Sequence, residues 1–342
     1  MPFANSKMIV PLISSALRRR NPVDREVIQN PERILLVKQS ERLGNIVLMN
    51  SAISGLAAAF PDARIDLLLP AAFTEMMSNN KRLNKAIPIA KREFFYKPWT
   101  LAAVISSIRK NRYNVAINCS DVNSHSATEA AYTLLSGAKI TAGWETSGRR
   151  VFDIEVKRYS DSVHATEMYL RLLSGVFGRQ LEGNPYFEKN LHRPALAGNG
   201  VGINCGGRGS KRWPLKNFVD LGSMLTRTGM EVEFIVGPDE RGLRPILQRN
   251  LPDKCRLLPE MPLARLMDVI GAFRVFVSSD TGPMHVAWCL GVPTIAVFTD
   301  SEVEKFRPLS PGSVAISAES DVSPESVLAH VLEAYALGEV PA

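Results

Sequence analysis

Cysteine is scarce in this sequence, and the spacing of the cysteines argues against the common zinc and disulfide frameworks. The 342 residues contain four cysteines, Cys119, Cys205, Cys255 and Cys289, and no Cys-x-x-Cys pair. Closely spaced cysteine pairs are the usual sign of a structural zinc site or a redox-active dithiol. The five histidines are also far apart along the chain. We therefore expect reduced core cysteines, no metal site and a cytoplasmic location.

Long apolar runs are missing as well. No run approaches the ~20 residues that a membrane-spanning helix needs. The apolar segment Met8–Leu17 is short and contains Pro11, and Arg18–Arg20 follow it, whereas a secretory signal has its basic residues first. Such a segment could form a helix that lies on an anionic membrane surface. The alternatives are a helix packed on the body of the protein and a frayed end.

The charge balance is mildly basic, with 41 lysines and arginines against 34 aspartates and glutamates and a formal net charge of +7. Such a balance favours anionic ligands or surfaces, including nucleotides and lipid phosphates. The basic residues are scattered, apart from Arg18–Arg20 and the loop at 207–212, and aromatic residues are not interleaved with them. We therefore predict that nucleic acid is not a partner.

Strand-like and helix-like segments alternate along the chain. The pattern starts with a strand at 33–37, a polar turn, a helix at 45–60 and a second strand at 64–69. It begins again with a strand at 201–205, after a stretch at 178–199 that is rich in glycine, proline and asparagine. This alternation is typical of parallel sheets covered by helices. We expect two α/β domains of similar size with a ligand cleft between them.

The turn at 278–285 has the most specific sequence. It follows a strand-like run and opens a helix-like run, and ligands of open α/β sheets bind at the carboxyl ends of the strands. The N-terminus of a helix also attracts phosphate groups. We expect Thr281 and Gly282 to donate hydrogen bonds to a phosphate and Asp280 to cap the helix. His285 could donate to the same anion, and the alternative is a structural histidine.

A glycine-rich basic loop at 206–214 precedes another helix. It holds three glycines and three cations, and Arg208, Ser210 and Lys211 are its candidate phosphate ligands. The order Gly-Lys-Ser/Thr of a Walker loop is absent. The alternative is a solvated basic loop.

Two other turns also follow predicted strands. In Gly237–Glu240, a carboxylate could accept hydrogen bonds from ribose hydroxyls, and the alternative is helix capping by Asp239. In the turn at 38–45, Gly44 allows the backbone to approach a ligand closely. The alternative there is a plain connection in which Asn45 caps the following helix.

Together these turns resemble those of glycosyltransferase family 9, the ADP-heptose:lipopolysaccharide heptosyltransferases. Val277–Ala287 looks like the family's Asp-Thr-Gly-x-x-His-x-Ala signature, and Lys211–Pro214 looks like its Lys-x-Trp-Pro element. Arg42–Asn45 is similar to its first turn, and His164 before Met168–Leu170 is similar to a recurrent family pattern. The resemblance covers roughly residues 33 to 310.

The resemblance implies a GT-B fold, an α/β architecture in which two Rossmann-like domains face each other across a cleft. We expect an N-terminal extension over 1–30, which includes the possible membrane-surface helix. An acceptor-binding domain would follow over 31–185 and a nucleotide-sugar-binding domain over 197–320. A C-terminal helix over 321–342 would cross back to the first domain.

The resemblance also implies an activity. It is inverting, metal-independent transfer of a heptose-like sugar from an ADP-sugar to a lipopolysaccharide core or related glycan acceptor, with no cofactor. Lys211 and the turn of Asp280, Thr281 and Gly282 would hold the diphosphate, and Glu240 would lie near the ribose. Lys38, Gly44 and His164 are placed on the acceptor side. The enzyme would be cytoplasmic, with a peripheral contact on the cytoplasmic face of the inner membrane.

The sequence departs from the family at Asn45, where the first turn normally ends in Gly-Asp and the aspartate is the proposed general base. An amide cannot take a proton from an attacking hydroxyl near neutral pH. The candidate catalytic residues are therefore Asn45 itself and two nearby carboxylates, Glu41 and Asp121. The segment Asn118–Asp121 departs too, because the family often has Asp-x-x-Gly there.

These departures leave two other functions open. The first is a catalytically degenerate family member that binds nucleotide or glycan. The second is another GT-B enzyme, such as a nucleotide-sugar epimerase.

Overall fold

The computed structural model describes residues 25–89, 98–124, 126–146, 150–159, 162–187 and 200–337. The chain forms two compact units, each built on a six-stranded parallel sheet with helices. The first unit comprises Met1–Arg42 and Met49–Pro185, and the second comprises Leu43–Leu48 and Tyr186–Ala342. The predicted α/β class with two Rossmann-like sheets is confirmed.

The strands are arranged in the same way in both units. In chain order they are β1 Arg33–Val37, β2 Arg64–Pro70, β3 Lys85–Ile89, β4 Val115–Asn118, β5 Ile140–Trp144, β6 Ile154–Val156, β7 Gly200–Asn204, β8 Glu231–Ile235, β9 Cys255–Leu257, β10 Val275–Ser279, β11 Thr294–Phe298 and β12 Val314–Ser317. The sheet orders are β3-β2-β1-β4-β5-β6 and β12-β11-β10-β7-β8-β9. In each sheet the strand order reverses beside the first strand, where ligands of such folds bind.

Helices connect these strands. In chain order they are α1 Arg25–Gln29, α2 Leu43–Val47, α3 Asn50–Ala59, α4 Thr74–Ser78, α5 Pro98–Lys110, α6 Ala127–Leu135, α7 Ala165–Phe177, α8 Leu215–Arg227, α9 Arg244–Asn250, α10 Leu263–Ala272, α11 Gly282–Cys289, α12 Val303–Phe306 and α13 Pro324–Leu337. Short 3₁₀ turns lie at Ala71–Phe73, Gly209–Lys211 and Pro238–Leu243. In the part of the chain that the structure describes, we find no helix with the length and apolar character needed to cross a membrane.

The central strands are apolar because both faces of each parallel sheet are covered. Every side chain of β1 from Ile34 to Val37 is fully buried, and Leu36 is in register with Leu67 and Ile117 on the neighbouring strands. In the second unit, the buried Val201 and Val275 lie in register on the neighbouring strands β7 and β10. These buried runs make the sheets rigid supports for the turns at their carboxyl ends.

The C-terminal helix α13 packs in the core of the second unit through Val327, Val331 and Ala334. The guanidinium of Arg274 donates to the carbonyl of Tyr335 and lies 4.2 Å from the centre of its ring. That the 321–342 segment reaches the first domain stays a prediction.

The predicted single helix at 45–60 is wrong in one respect, since the structure divides it into α2 and α3. The apolar pattern runs through the division, so the break comes from packing: α2 contacts α11 in the second unit, while α3 contacts α7 in the first. Tertiary contacts override local helical preference in such cases.

The predicted membrane-surface helix, the segment Met8–Arg20, lies outside the described residues, as do positions 188–199 of the predicted linker.

Candidate functional site

The turn between β10 and α11 is fixed by buried polar side chains of the second unit. Nδ2 of Asn204, the last residue of β7, donates to Ser278 Oγ at 2.9 Å and to Thr281 Oγ1 at 3.0 Å. Ser279 Oγ accepts from the backbone N–H of Trp213 at 3.0 Å. These bonds tie the turn to the glycine-rich loop and to the neighbouring strand. Sequence reasoning missed Asn204, although an asparagine that ends an otherwise apolar strand is a usable signal.

Thr281 occupies the position before α11 but does not cap it. Its hydroxyl is held by Asn204 and Ser278, and within the described chain its side chain makes no capping bond to the helix. Pro283 in the first turn has no N–H to donate. The N–H groups of Gly282 and Met284 in the first turn have no acceptor carbonyl within α11, and such groups favour an anion.

Asp280 links the turn to the basic loop. Its Oδ2 lies 3.3 Å from Nζ of Lys211, and its Oδ1 lies 3.8 Å from Nε2 of His285. Burial alone would raise the pKa of the Asp280 carboxyl, but the neighbouring His285, Ser301 and Lys211 lower it to about 2. Asp280 is therefore a carboxylate at neutral pH and keeps the half-exposed Lys211 ammonium in place.

The glycine-rich loop is held by a second group of carboxylates. The N–H of Gly207 donates to Glu240 Oε1 at 3.2 Å, and the Arg208 guanidinium pairs with Asp239 at 2.7 Å. The Ser210 hydroxyl donates to Asp300, which sequence reasoning missed. Gly207 and Gly209 have φ angles of +145° and +56°, which residues other than glycine rarely adopt.

A cavity of about 500 Å³ opens beside this loop. Its lining includes Gly207, Arg208, Arg212, Asp239 and Glu240. A cavity with two guanidinium groups and two carboxylates can bind phosphate oxygens and hydroxyl groups together. Glu240, predicted near a ribose, thus lies in a cavity of suitable chemistry.

The short helix α2 packs against α11 within the second unit. A Cβ atom on Gly44 would come within 2.5 Å of His285 Cδ2, and a Cβ on Gly282 within 2.7 Å of Leu43 Cβ. The two glycines therefore allow the helices to touch. Gly44 was predicted on the acceptor side, and the structure places it, with the adjacent Asn45, beside the Asp280–His285 turn.

The first unit has its own polar site at the carboxyl ends of β1 and β4. Nζ of the buried Lys38 donates to the carbonyl of Cys119 and to Asp121 Oδ1, both at 2.8 Å, and lies 5.2 Å from the centre of the Tyr169 ring. Burial would lower the pKa of Lys38, but Tyr169, Glu129 and Asp121 outweigh it and raise that pKa. Lys38 is therefore a permanent cation that holds Asp121.

Two other predicted residues lie elsewhere in the first unit. His164 stands before α7, where its Nδ1 accepts from the N–H of Thr166 at 3.3 Å. This is a helix-capping contact, and its predicted acceptor role stays a prediction. Glu41 is an exposed residue of the turn after β1.

Comparison with known proteins assigns the chain to a family. The model of glycosyltransferase family 9 (heptosyltransferase) matches residues 101–336. The chain belongs to glycosyltransferase family 9. It is therefore an enzyme of the glycosyltransferase class, and the predicted family is confirmed.

Similar proteins cover this family 9 chain almost from end to end. Lipopolysaccharide heptosyltransferase 1 of Salmonella typhimurium is 23% identical over 328 residues, which span 90% of this chain and 99% of the relative. The structure of Escherichia coli ADP-heptose lps heptosyltransferase II has a TM-score of 0.74 at 22% identity and covers 90% of this chain and 100% of that one. A glycosyl transferase family 9 structure from Veillonella parvula has a TM-score of 0.78 at 17% identity, with 93% and 100% covered. These structures share the fold of this enzyme.

Among the residues that the structure describes, no group of three or more histidine, cysteine, aspartate or glutamate side chains is arranged to hold a metal ion. The ammonium groups of Lys38 and Lys211 form ion pairs with Asp121 and Asp280, respectively.

Proposed function

We propose that this enzyme transfers a heptose-like sugar, with inversion, from an ADP-sugar to a lipopolysaccharide core or a related glycan acceptor. The observation that carries the proposal is the Lys211–Asp280 pair at the N-terminus of α11 in a chain of family 9. The relatives named lipopolysaccharide heptosyltransferase 1 and ADP-heptose lps heptosyltransferase II support this choice of donor and acceptor.

The donor would be bound by the second unit. The ammonium of Lys211, the N–H groups of the Thr281–Gly282 turn and the side chains of Arg208 and Ser210 would contact the diphosphate. Glu240 would accept hydrogen bonds from ribose hydroxyls in the adjoining cavity. Asp280 would keep Lys211 in position, and the buried His285 would act through Asp280.

The reaction would be a single displacement. The acceptor hydroxyl oxygen forms a bond to the anomeric carbon from the face opposite the diphosphate, and the bond from that carbon to the diphosphate oxygen breaks. Negative charge develops on the departing ADP, where Lys211 and the α11 N-terminus would stabilise it. The hydroxyl proton goes to a base, and no step needs a metal or cofactor.

We propose Asp121 as that base. Asn45 has only an amide, which cannot take the proton at neutral pH. Of the two carboxylates proposed in its place, Asp121 follows β4 and accepts a hydrogen bond from the buried Lys38, which fixes its position. Asn45 would then position the acceptor through its amide.

The acceptor side would include Lys38 and His164 in the first unit. A glycolipid acceptor would bring the enzyme to the cytoplasmic face of the inner membrane, where the basic segment Met8–Arg20 could attract anionic lipid. The proposed location is cytoplasmic with a peripheral membrane contact.

The test combines binding with turnover. The purified enzyme is titrated with ADP, UDP, GDP and CMP while thermal unfolding is followed, and a ligand at ~100 times its Kd should stabilise the folded state by ~2.7 kcal/mol. We expect a shift with ADP that is lost in Lys211→Ala, followed by heptose transfer from ADP-heptose to heptose-free lipopolysaccharide core. A shift with UDP or GDP instead would overturn the ADP-sugar assignment.

Asn45 specifically favours a second candidate, a degenerate member that binds nucleotide or glycan without transfer. The two are separated by Asn45→Asp: activity that appears only in this variant would identify the natural protein as degenerate. Activity in the natural enzyme that is lost in Asp121→Asn would support Asp121 as the base. Epimerised product without any acceptor would indicate a nucleotide-sugar epimerase.

A further inference from the structure

Trp288 makes an unusual contact with His285. The two residues lie one turn apart on α11, and the buried indole N–H of Trp288 donates to Nδ1 of His285 over 3.2 Å. An indole nitrogen can only donate a hydrogen bond. Nδ1 must therefore present its lone pair, and the proton of the neutral imidazole lies on Nε2. A cationic imidazole would carry a second proton on Nδ1, directed at the indole N–H.

The tautomer matters because of what lies next to Nε2. That atom is 3.8 Å from Asp280 Oδ1, and the other oxygen of the same carboxylate is 3.3 Å from Lys211 Nζ. A proton on Nε2 attracts the carboxylate, whereas the lone pair of the other tautomer would repel it. His285 is only 4% exposed, so this effect reaches a ligand through Asp280 and Lys211.

The imidazole is also restrained by packing within the second unit. The ring of Phe306 meets it edge to face, with centroids 6.0 Å apart, and Gly44 is so close that a Cβ there would overlap Cδ2. Trp288 itself packs against Tyr186, whose hydroxyl donates to the carbonyl of Leu309. The ring therefore has little room to turn, and the hydrogen bond selects which nitrogen carries the proton.

We propose that Trp288 is a positioning residue of the donor site: it fixes the Nε2–H tautomer of His285 and thereby the placement of Asp280 and Lys211. This inference rests on the proposed function, because ADP binding at Lys211 is where its effect is read. Trp288 does not touch the donor, since it is fully buried behind His285.

The test uses Trp288→Phe, which keeps an aromatic ring and removes the N–H. Nitrogen-15 NMR of histidine-labelled enzyme reports the tautomer, and ADP titration reports the Kd. We expect Nε2–H in the natural enzyme, a shift toward Nδ1–H in the variant and a two- to tenfold rise in Kd, on the order expected for one lost hydrogen bond. The matched control is Trp144→Phe, which removes a buried indole bond to the Ser120 carbonyl in the first unit.

The possible outcomes distinguish a failure of the tautomer proposal from a failure of the donor-site assignment. The His285 signal is assigned by its loss in His285→Gln. A cationic or Nδ1–H imidazole in the natural enzyme at neutral pH overturns the proposal, whether or not Trp288→Phe folds. Weaker ADP binding with an unchanged tautomer, or a changed tautomer with unchanged binding, also overturns it. Absence of ADP binding by the natural enzyme would refute the donor site and the positioning role together, while the NMR result still decides the tautomer.

Discussion

Each unit carries a lysine–aspartate pair at equivalent places in its sheet. The buried member of the pair is the lysine in the first unit and the aspartate in the second. The aspartates follow β4 and β10, which lie beside the first strand of each sheet. In the first unit Lys38 is 2% exposed and Asp121 41%, whereas in the second unit Lys211 is 42% exposed and Asp280 10%. The first unit therefore presents a carboxylate and the second an ammonium group.

This inversion matches the two halves of the proposed reaction. A carboxylate suits an acceptor hydroxyl that must lose a proton, and an ammonium suits a diphosphate that gains charge. In each pair the buried partner holds the exposed one in place. Burial, more than the identity of the residues, decides which member of the pair can meet a ligand.

The largest effect is expected from Lys211→Met, which removes the presented cation. We expect kcat/KM to fall ~10²–10³-fold, the loss typical of one charge-stabilising donor. The thermal midpoint should change little, because Lys211 is half exposed and Asp280 keeps His285 and Ser301 as partners, which come before Lys211 among the causes of its lowered pKa. Steady-state kinetics and thermal unfolding check both. Lys211→Arg is the control that keeps the charge, and a large loss of stability in Lys211→Met would break the comparison.

Lys38→Met should lower the stability of the folded state, which Lys211→Met should leave almost unchanged. Removing the buried cation takes a hydrogen bond from the Cys119 carbonyl and leaves Asp121 without its partner. Removing one partner of a buried pair costs ~3–5 kcal/mol, and because Asp121 is partly exposed we expect about 2–3 kcal/mol. Urea unfolding measures it, with the exposed Lys85→Met on β3 as control. Stability equal to that of the natural protein would mean that the pair is not structural.

Much of the fold could be predicted from the sequence, because apolar runs of strand length alternate with helical patterns at 33–69 and again from 201. The turn at 278–285 was also found, since its position after a strand and before a helix has a physical meaning. The inverted burial of the two pairs could not be predicted. It depends on side chains far apart in the chain, such as Lys38 with Asp121.

Short strands and the packing partners of helices are also difficult to predict from a sequence. β6, β9 and β12 have only three or four residues, too few for an alternating pattern to be read. The division between α2 and α3 follows from which helix each one packs on, and this is set by Gly44 and His285 meeting across the chain. Sequence patterns give the faces of elements but not their partners.

Acid should remove the contribution of Asp280 to stability. Its pKa lies below the unfolded value of 3.8, at about 2, so the folded state is favoured when the carboxyl is ionised. The contribution, about 2 kcal/mol, is complete above pH ~4 and is lost as the pH falls toward 2. The unfolding free energy of the natural enzyme should fall more steeply over pH 4 to 2 than that of Asp280→Asn. Equal slopes would show that Asp280 is not held as a carboxylate.

The smallest effect is expected at the exposed pair of Arg208 and Asp239, whose side chains are 76% and 66% exposed. Their distance of 2.7 Å is as short as that of Lys38 and Asp121, but water competes for both charges. A double-mutant cycle of Arg208→Gln and Asp239→Asn should give a coupling free energy below about 1 kcal/mol. A cycle of Lys38→Met and Asp121→Asn should exceed it. Equal couplings would mean that distance, and not burial, sets the strength of these pairs, and the contrast between the two units would then lose its physical basis.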